Sequence, residues 1–249
     1  MEETKNTAAL ILNRQAYKED ASLVTVYTRH FGKLNLVARG TQKLQSKLAG
    51  HIEPLTLADL MIIKGKGYDY IGGILTRESY SGIRSDLNKL YYAGQAVNIF
   101  NRLVKEDEPD ERLFFLLANW LALLNDFTES NNFSSDSGEL LLSFFKLKFL
   151  KELGYNPEMY KCLVCSQNIK PGRNYFNLFQ GRVLCATCHK NEQPGFISPN
   201  DLMVISDDCV KIIRFIIDKD SDQLIKLKIN TRILKELSKV SSNFLKFQI

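Results

Sequence analysis

Histidine is scarce in this chain: His30, His51 and His189 are the only three in 249 residues. None stands in H-E-x-x-H, and none lies in H-x-E spacing with the cysteines, since His51-Ile52-Glu53 is far upstream of both pairs; this excludes the common metalloprotease and deaminase arrangements. G-x-S-x-G, the kinase set and the dinucleotide fingerprint are missing as well. Lys64-Gly65-Lys66-Gly67 is no phosphate loop, because it lacks the G-x-x-x-x-G-K-[ST] spacing and a following helix. No apolar run approaches the roughly 18 to 20 residues that span a bilayer. Met1 to Asn6 has neither the charge nor the apolar run of a signal peptide. Five cysteines are few for a disulfide frame, and a reducing cytoplasm is the expected setting. These absences favour a binding protein over an enzyme.

Four of the five cysteines carry the strongest signal. Cys162-Leu163-Val164-Cys165 is answered after 19 residues by Cys185-Ala186-Thr187-Cys188. Two C-x2-C knuckles at that separation supply four thiolates for one tetrahedral, closed, structural Zn2+ site, which cannot activate water. With His189 the second knuckle also reads C-x-x-C-H, a haem-attachment motif, and either knuckle alone could be a redox dithiol. Both rivals leave the other pair unexplained. Tyr175 to Leu178 and Arg182 to Leu184 flank Phe179-Gln180-Gly181 as a short hairpin, so the expected module is a zinc ribbon. Cys209 reads as a small buried hydrophobe.

The hydrophobic share of 45% can bury a sizeable core, and the length suits one large domain or two to three small ones. The formal charge is +5, and four thiolates around one Zn2+ would lower it by about two. So small an excess does not by itself argue for nucleic acid, and a solvated surface is the default.

From Thr7 to about Leu75 the pattern has period two. Strands are expected at Ala8–Leu12, Leu23–Tyr27, Lys33–Val37, Leu55–Ile63 and Tyr68–Leu75, with glycines at 32, 65 and 67 supplying positive φ in the turns. Five such strands suit a small OB-type barrel, which binds single strands with basic groups and aromatic rings. The basic candidates are Arg14, Lys33, Arg39, Lys43, Lys47, Lys64 and Lys66, interleaved with Tyr17, Phe31, Tyr68 and Tyr70.

After Ser81 the period is helical. One stripe runs Leu90, Ala93, Val97, Phe100, Val104, and another runs Leu113, Leu116, Leu117, Trp120, Leu121, Leu124. A linker is expected at Glu129–Gly138, then a helix capped by Asp136 with Glu139, and after the ribbon a helix begun by Ser198-Pro199. The expected class is therefore α+β: an OB barrel over 1–80, a helical domain over 81–160 and 190–249, and an inserted zinc ribbon over 161–189.

Several stretches then stand in a telling order. They are Ala9-Leu10-Ile11-Leu12 with Tyr17-Lys18-Glu19, Thr28 to Lys33, Gly40 to Lys47 with Pro54, Phe145 to Leu150, and Leu153-Gly154-Tyr155-Asn156-Pro157 leading into Cys162 and Cys165. Over essentially its whole length the chain resembles the bacterial recombination mediator family RecO. The resemblance implies binding of single- and double-stranded DNA and annealing of complementary strands in the nucleoid. It also implies work with RecR, in some cases RecF, to load RecA on strands coated by the single-strand binding protein, whose acidic C-terminal tail is contacted. One departure is Gly40-Thr41-Gln42-Lys43, where the family commonly has Gly-Ala-Arg-Lys. The rival reading is a zinc-ribbon adaptor without DNA affinity.

Overall fold

The computed structural model describes residues 4–43, 45–127, 133–191, 197–219, 227 and 229–248. It divides after Asp126 into two compact units.

The first unit begins with five strands: β1 (Thr4–Tyr17), β2 (Ala21–Thr28), β3 (Gly32–Arg39), β4 (Thr56–Ile63) and β5 (Asp69–Glu78). All five expected strands form, four of them longer than their apolar runs; β4 starts one residue later, after Leu55 at φ +61°. The pairing order β1-β2-β3-β5-β4 returns to β1 and closes a barrel. β1 serves both walls, pairing with β4 over Thr4–Ile11 and with β2 over Ala9–Tyr17. A register shift between Ile11 and Asn13 is the bulge that lets one long strand turn the corner. Alternation sends Ala9, Ile11, Val24, Val26, Leu36, Leu60, Ile62 and Ile71 into a single core cluster, closed by Ile52. Each fully buried Ile or Leu contributes roughly 1.5–3 kcal/mol of transfer free energy.

The closing seam is narrow. β3 and β5 run parallel and pair only at Leu36–Asp69 and Val37–Tyr70. The rest of the edge of β3 is covered by a later loop: Asp107 N–H donates to the Lys33 carbonyl (3.2 Å) and Asn35 to the Glu106 carboxylate (2.7 Å). The turn glycines act in two ways. Gly32 has φ +69°, and a Cβ there would lie 2.6 Å from the Glu108 backbone. Gly65 and Gly67 do not adopt the expected positive φ; a Cβ at Gly65 would lie 2.0 Å from the Tyr68 carbonyl oxygen and 2.7 Å from the Tyr70 ring. Close approach, rather than left-handed backbone, selects that glycine.

Helices α1 (Ser81–Arg84), α2 (Leu87–Leu103) and α3 (Glu111–Asp126) belong to this same unit, although their helical period grouped them with the later helices in sequence. The reason lies in the second face of the barrel strands: Leu10 and Tyr27 alternate with the inward residues and are equally buried. Tyr27 meets Phe100 of α2 edge to face (centroids 4.9 Å), and its hydroxyl accepts from Asp110 N–H (3.2 Å). Asp86 caps α2 by accepting from Asn88 and Lys89 N–H. The buried stripe of α2 takes in Tyr92 and Ala96 and leaves Leu90 exposed, a rotation from the expected face.

In the second unit, α4 (Ser135–Glu152), α6 (Asp207–Asp218) and α7 (Thr231–Phe247) pack against one another. The expected linker at Glu129–Gly138 lies outside the described residues up to 132, and from Ser135 it is already helix. The cap is Ser134, accepting from Ser137 N–H (3.1 Å), so Asp136 falls in the first turn. Ser198-Pro199 opens only a 3-10 turn (Pro199–Asp201), because Leu202–Ile205 forms a strand, β8. β8 joins the hairpin of β6 (Asn174–Asn177) and β7 (Arg182–Leu184) in the order β7-β6-β8. Ser206 then caps α6, and Cys209 is fully buried on it. Among the described residues no helix is long and apolar enough to cross a membrane.

Candidate metal centre and nucleic-acid groove

The four cysteines converge. Their Sγ atoms all lie within 4.8 Å of one another. Zn–S bonds of about 2.3 Å in a tetrahedron would place the sulfurs about 3.8 Å apart, so the set fits a zinc-sized cation after small adjustment. Neighbouring chain elements aim them. Leu163 N–H donates to the Val183 carbonyl (2.8 Å), fastening the first knuckle to β7 just before the second. Ser166, at φ +56°, turns the chain sharply after Cys165. Cys185 caps the short helix α5 (Ala186–Lys190), and its sulfur accepts from Cys188 N–H (3.4 Å); the Cys162 sulfur accepts from Cys185 N–H (3.4 Å).

The thiols are unequal without a cation. Burial raises the Cys162 pKa, but donors from Cys185, Cys165 and Val164 together outweigh it and bring it down to about 6. Cys188 is pushed up to about 12, by desolvation first and then by its sulfur neighbours. A bound divalent ion would hold all four as thiolates and remove that conflict. Because both pairs meet at one point, neither a haem attachment nor a lone dithiol is needed to explain them.

The seven basic candidates of the barrel separate into groups. Arg14 is half-buried and committed: it pairs with Glu53 and donates to the Ala49 carbonyl (3.2 Å) and Ser22 Oγ (3.3 Å). Lys33 Nζ donates to the Asn101 carbonyl (3.0 Å) in the last turn of α2, where a cation suits the helix dipole. Lys47, Lys64 and Lys66 are exposed, the last two in the β4–β5 turn. Arg39 and Lys43 line a groove of about 770 Å³ beside the β3–β5 seam.

That groove also brings together Tyr17, Tyr68, Tyr70 and the β1–β2 turn residues Lys18, Glu19 and Asp20. Tyr17 and Tyr68 meet edge to face (centroids 5.8 Å, 79°), and the Arg39 guanidinium lies 3.9 Å over the centre of Tyr70. Lys18 Nζ stands 5.3 Å over Tyr17, and Lys43 pairs with Asp20 (3.4 Å). Lys18 was not among the sequence candidates. Only the closure of the barrel, which sets the β1–β2 turn beside the start of β5, places it here.

A closed five-stranded OB-type barrel with a basic, tyrosine-lined groove, and a second unit carrying four converging cysteines that could hold a metal ion, define an α+β protein with a candidate zinc site. Two family models match, "Recombination protein O N terminal" over residues 1–80 and "Recombination protein O C terminal" over 84–249. The chain belongs to the RecO family of DNA repair proteins. It is similar to the DNA repair protein RecO of Dehalococcoides mccartyi, with 29% identity over 231 residues covering 93% of this chain and 85% of the relative. It is 25% identical over 239 residues to that of Alkaliphilus metalliredigens (96% and 91% covered). The RecO of a Thermoanaerobacter species is 26% identical over 242 residues (96% and 90%).

Proposed function

We propose that the protein is a cytoplasmic, nucleoid-associated recombination mediator that binds single- and double-stranded DNA through its barrel and anneals complementary strands. The supporting observation is the groove, where Arg39 and Lys43 stand beside three tyrosines, with Lys64 and Lys66 on the adjoining turn and Lys47 exposed. These cations neutralise phosphate repulsion between two strands, the barrier that annealing must overcome. Arg14 and Lys33 hold the scaffold instead. Family membership supports the further partners: RecR, in some cases RecF, and the acidic tail of the single-strand binding protein on the helical unit, with RecA loading as the outcome.

The protein acts by holding strands, without catalysis. Cys162, Cys165, Cys185 and Cys188 hold one structural Zn2+, which leaves no open position for substrate and supplies folding free energy to the ribbon.

Neutralising Lys43 and Lys47 together to Gln tests the DNA reading by titration across salt concentrations. Affinity should fall for every sequence alike, with log affinity losing roughly 0.7–0.9 of salt slope per phosphate contact removed. Unchanged affinity and slope would remove these lysines from the interface. An adaptor without DNA affinity would show no shift with either protein.

A further inference from the structure

The groove on the barrel holds more aromatic surface than phosphate binding requires. Tyr68, just ahead of β5, is 44% exposed, and Tyr17 and Tyr70 are half-buried, although rings on barrel strands ordinarily turn into the core. All three line the same concavity, whose volume falls within the roughly 300–1,000 Å³ of sites that enclose small ligands. Tyr70 is held from behind: no Cβ fits at Gly65 without approaching the ring to 2.7 Å, so glycine there lets ring and turn pack tightly. Its open face is covered by the Arg39 guanidinium at 3.9 Å. A guanidinium is flat, delocalised and weakly hydrated, and it stacks where another planar group could lie.

We propose that this groove is a subsite for an unpaired nucleobase of a DNA strand, with Tyr70 as the platform and Arg39 as its resident place-holder. When a base enters, Arg39 leaves the ring and its planar fork turns to the flanking phosphate, so one displacement makes both contacts. The edge-to-face pair of Tyr17 and Tyr68 forms the neighbouring aromatic wall, and Lys18 beside Tyr17 adds a second cation at the mouth. Asp20, paired with Lys43, and Glu19 are the acidic groups a strand must pass. Every base has a π-face, so such a subsite is indifferent to sequence, yet it discriminates bases that are free from bases already paired. This inference rests on the reading of the barrel as the DNA-binding element and adds to it the chemical group that is held.

The test uses the full-length, zinc-loaded protein and two probes of equal length and charge, a thymidine oligomer and an oligomer of abasic deoxyribose phosphates. Thymidine should bind about ten-fold more tightly, in the range expected when a base loses its stacking partner. Tyr70→Leu should lower thymidine affinity about ten-fold and leave the abasic affinity unchanged, while Tyr70→Phe keeps the wild-type preference. A 2-aminopurine in the strand should be quenched by the wild type and released by Tyr70→Leu. Since Tyr70 is not fully buried, Tyr68→Leu at a more exposed position gives an independent variant with the same expected pattern. Equal affinity for the two oligomers, each with a steep salt slope, would overturn the base subsite and leave the phosphate reading standing. Binding of neither oligomer would overturn the DNA reading and the subsite together.

Discussion

The barrel and the ribbon are held together by different physics. In the barrel, ten buried residues from every strand and one loop form a single cluster, so the element stands on its own apolar contacts. Among the described residues, the buried cluster around the four cysteines contains only Cys162, Leu184 and Ile197, fringed by partly buried groups. So thin a core does not by itself stabilise a loop-rich segment, and on the proposed zinc reading metal ligation would supply what burial does not. The element with its own core carries the open, charged, aromatic groove. The element with the recognisable motif carries the candidate staple.

That contrast can be broken most forcefully at a ligand. Structural zinc binding is worth on the order of 10 kcal/mol in small modules, so Cys162→Ser should abolish zinc uptake and open residues 158–205 to protease. Limited proteolysis with mass mapping reads this, and a ribbon that stays resistant without metal would show that its contacts suffice. The mirror experiment is Ile11→Ala at the barrel's centre, expected to cost about 2–5 kcal/mol in denaturant unfolding while zinc content stays at one equivalent.

A smaller effect is expected at Gly32→Ala, which combines positive φ with a clash against Glu108; about 1–3 kcal/mol should be lost from the barrel unit and nothing from the ribbon. The smallest effect concerns the helices of the second unit. Lys146 on α4 is nearly buried, donating to Ser242 Oγ (3.0 Å), and burial lowers its pKa, helped by Lys246 and opposed by Glu139. Its folded pKa lies below its unfolded value near 10.5, so the unfolded chain binds more protons between the two. Stability of this unit should therefore rise with pH through that alkaline window, and Lys146→Met should flatten the rise. An unchanged slope in the variant would assign it to other groups.

Much of this architecture was legible because its signals are local. Period-two alternation marks β1 to β5, and two C-x2-C turns mark the metal centre whatever the surrounding fold. What escaped depends on distant partners. Strand β8 is only four residues long and follows a proline that reads as a helix start; it becomes a strand by pairing with Asn174–Asn177. Helices α2 and α3 carry apolar stripes as α4 does, and nothing local shows that Leu10 and Tyr27 need covering. Arg14 and Lys33 have the same chemistry as Arg39 and Lys43. Partners such as Glu53 for Arg14 and the Asn101 carbonyl for Lys33, 39 and 68 residues away, commit them to the scaffold. The groove itself joins residues 17–21, 37–43 and 67–70, segments that meet only when β3 and β5 close the barrel.

The central claim is that the barrel does the work and the cysteines support it. Its most direct test is DNA affinity of the Cys162→Ser protein, measured across salt alongside a probe of barrel folding. Affinity within about three-fold of wild type and the same salt slope are predicted, because the proposed phosphate contacts lie on the barrel. Loss of DNA binding from a protein whose barrel is still folded would contradict the claim and return function to the metal centre.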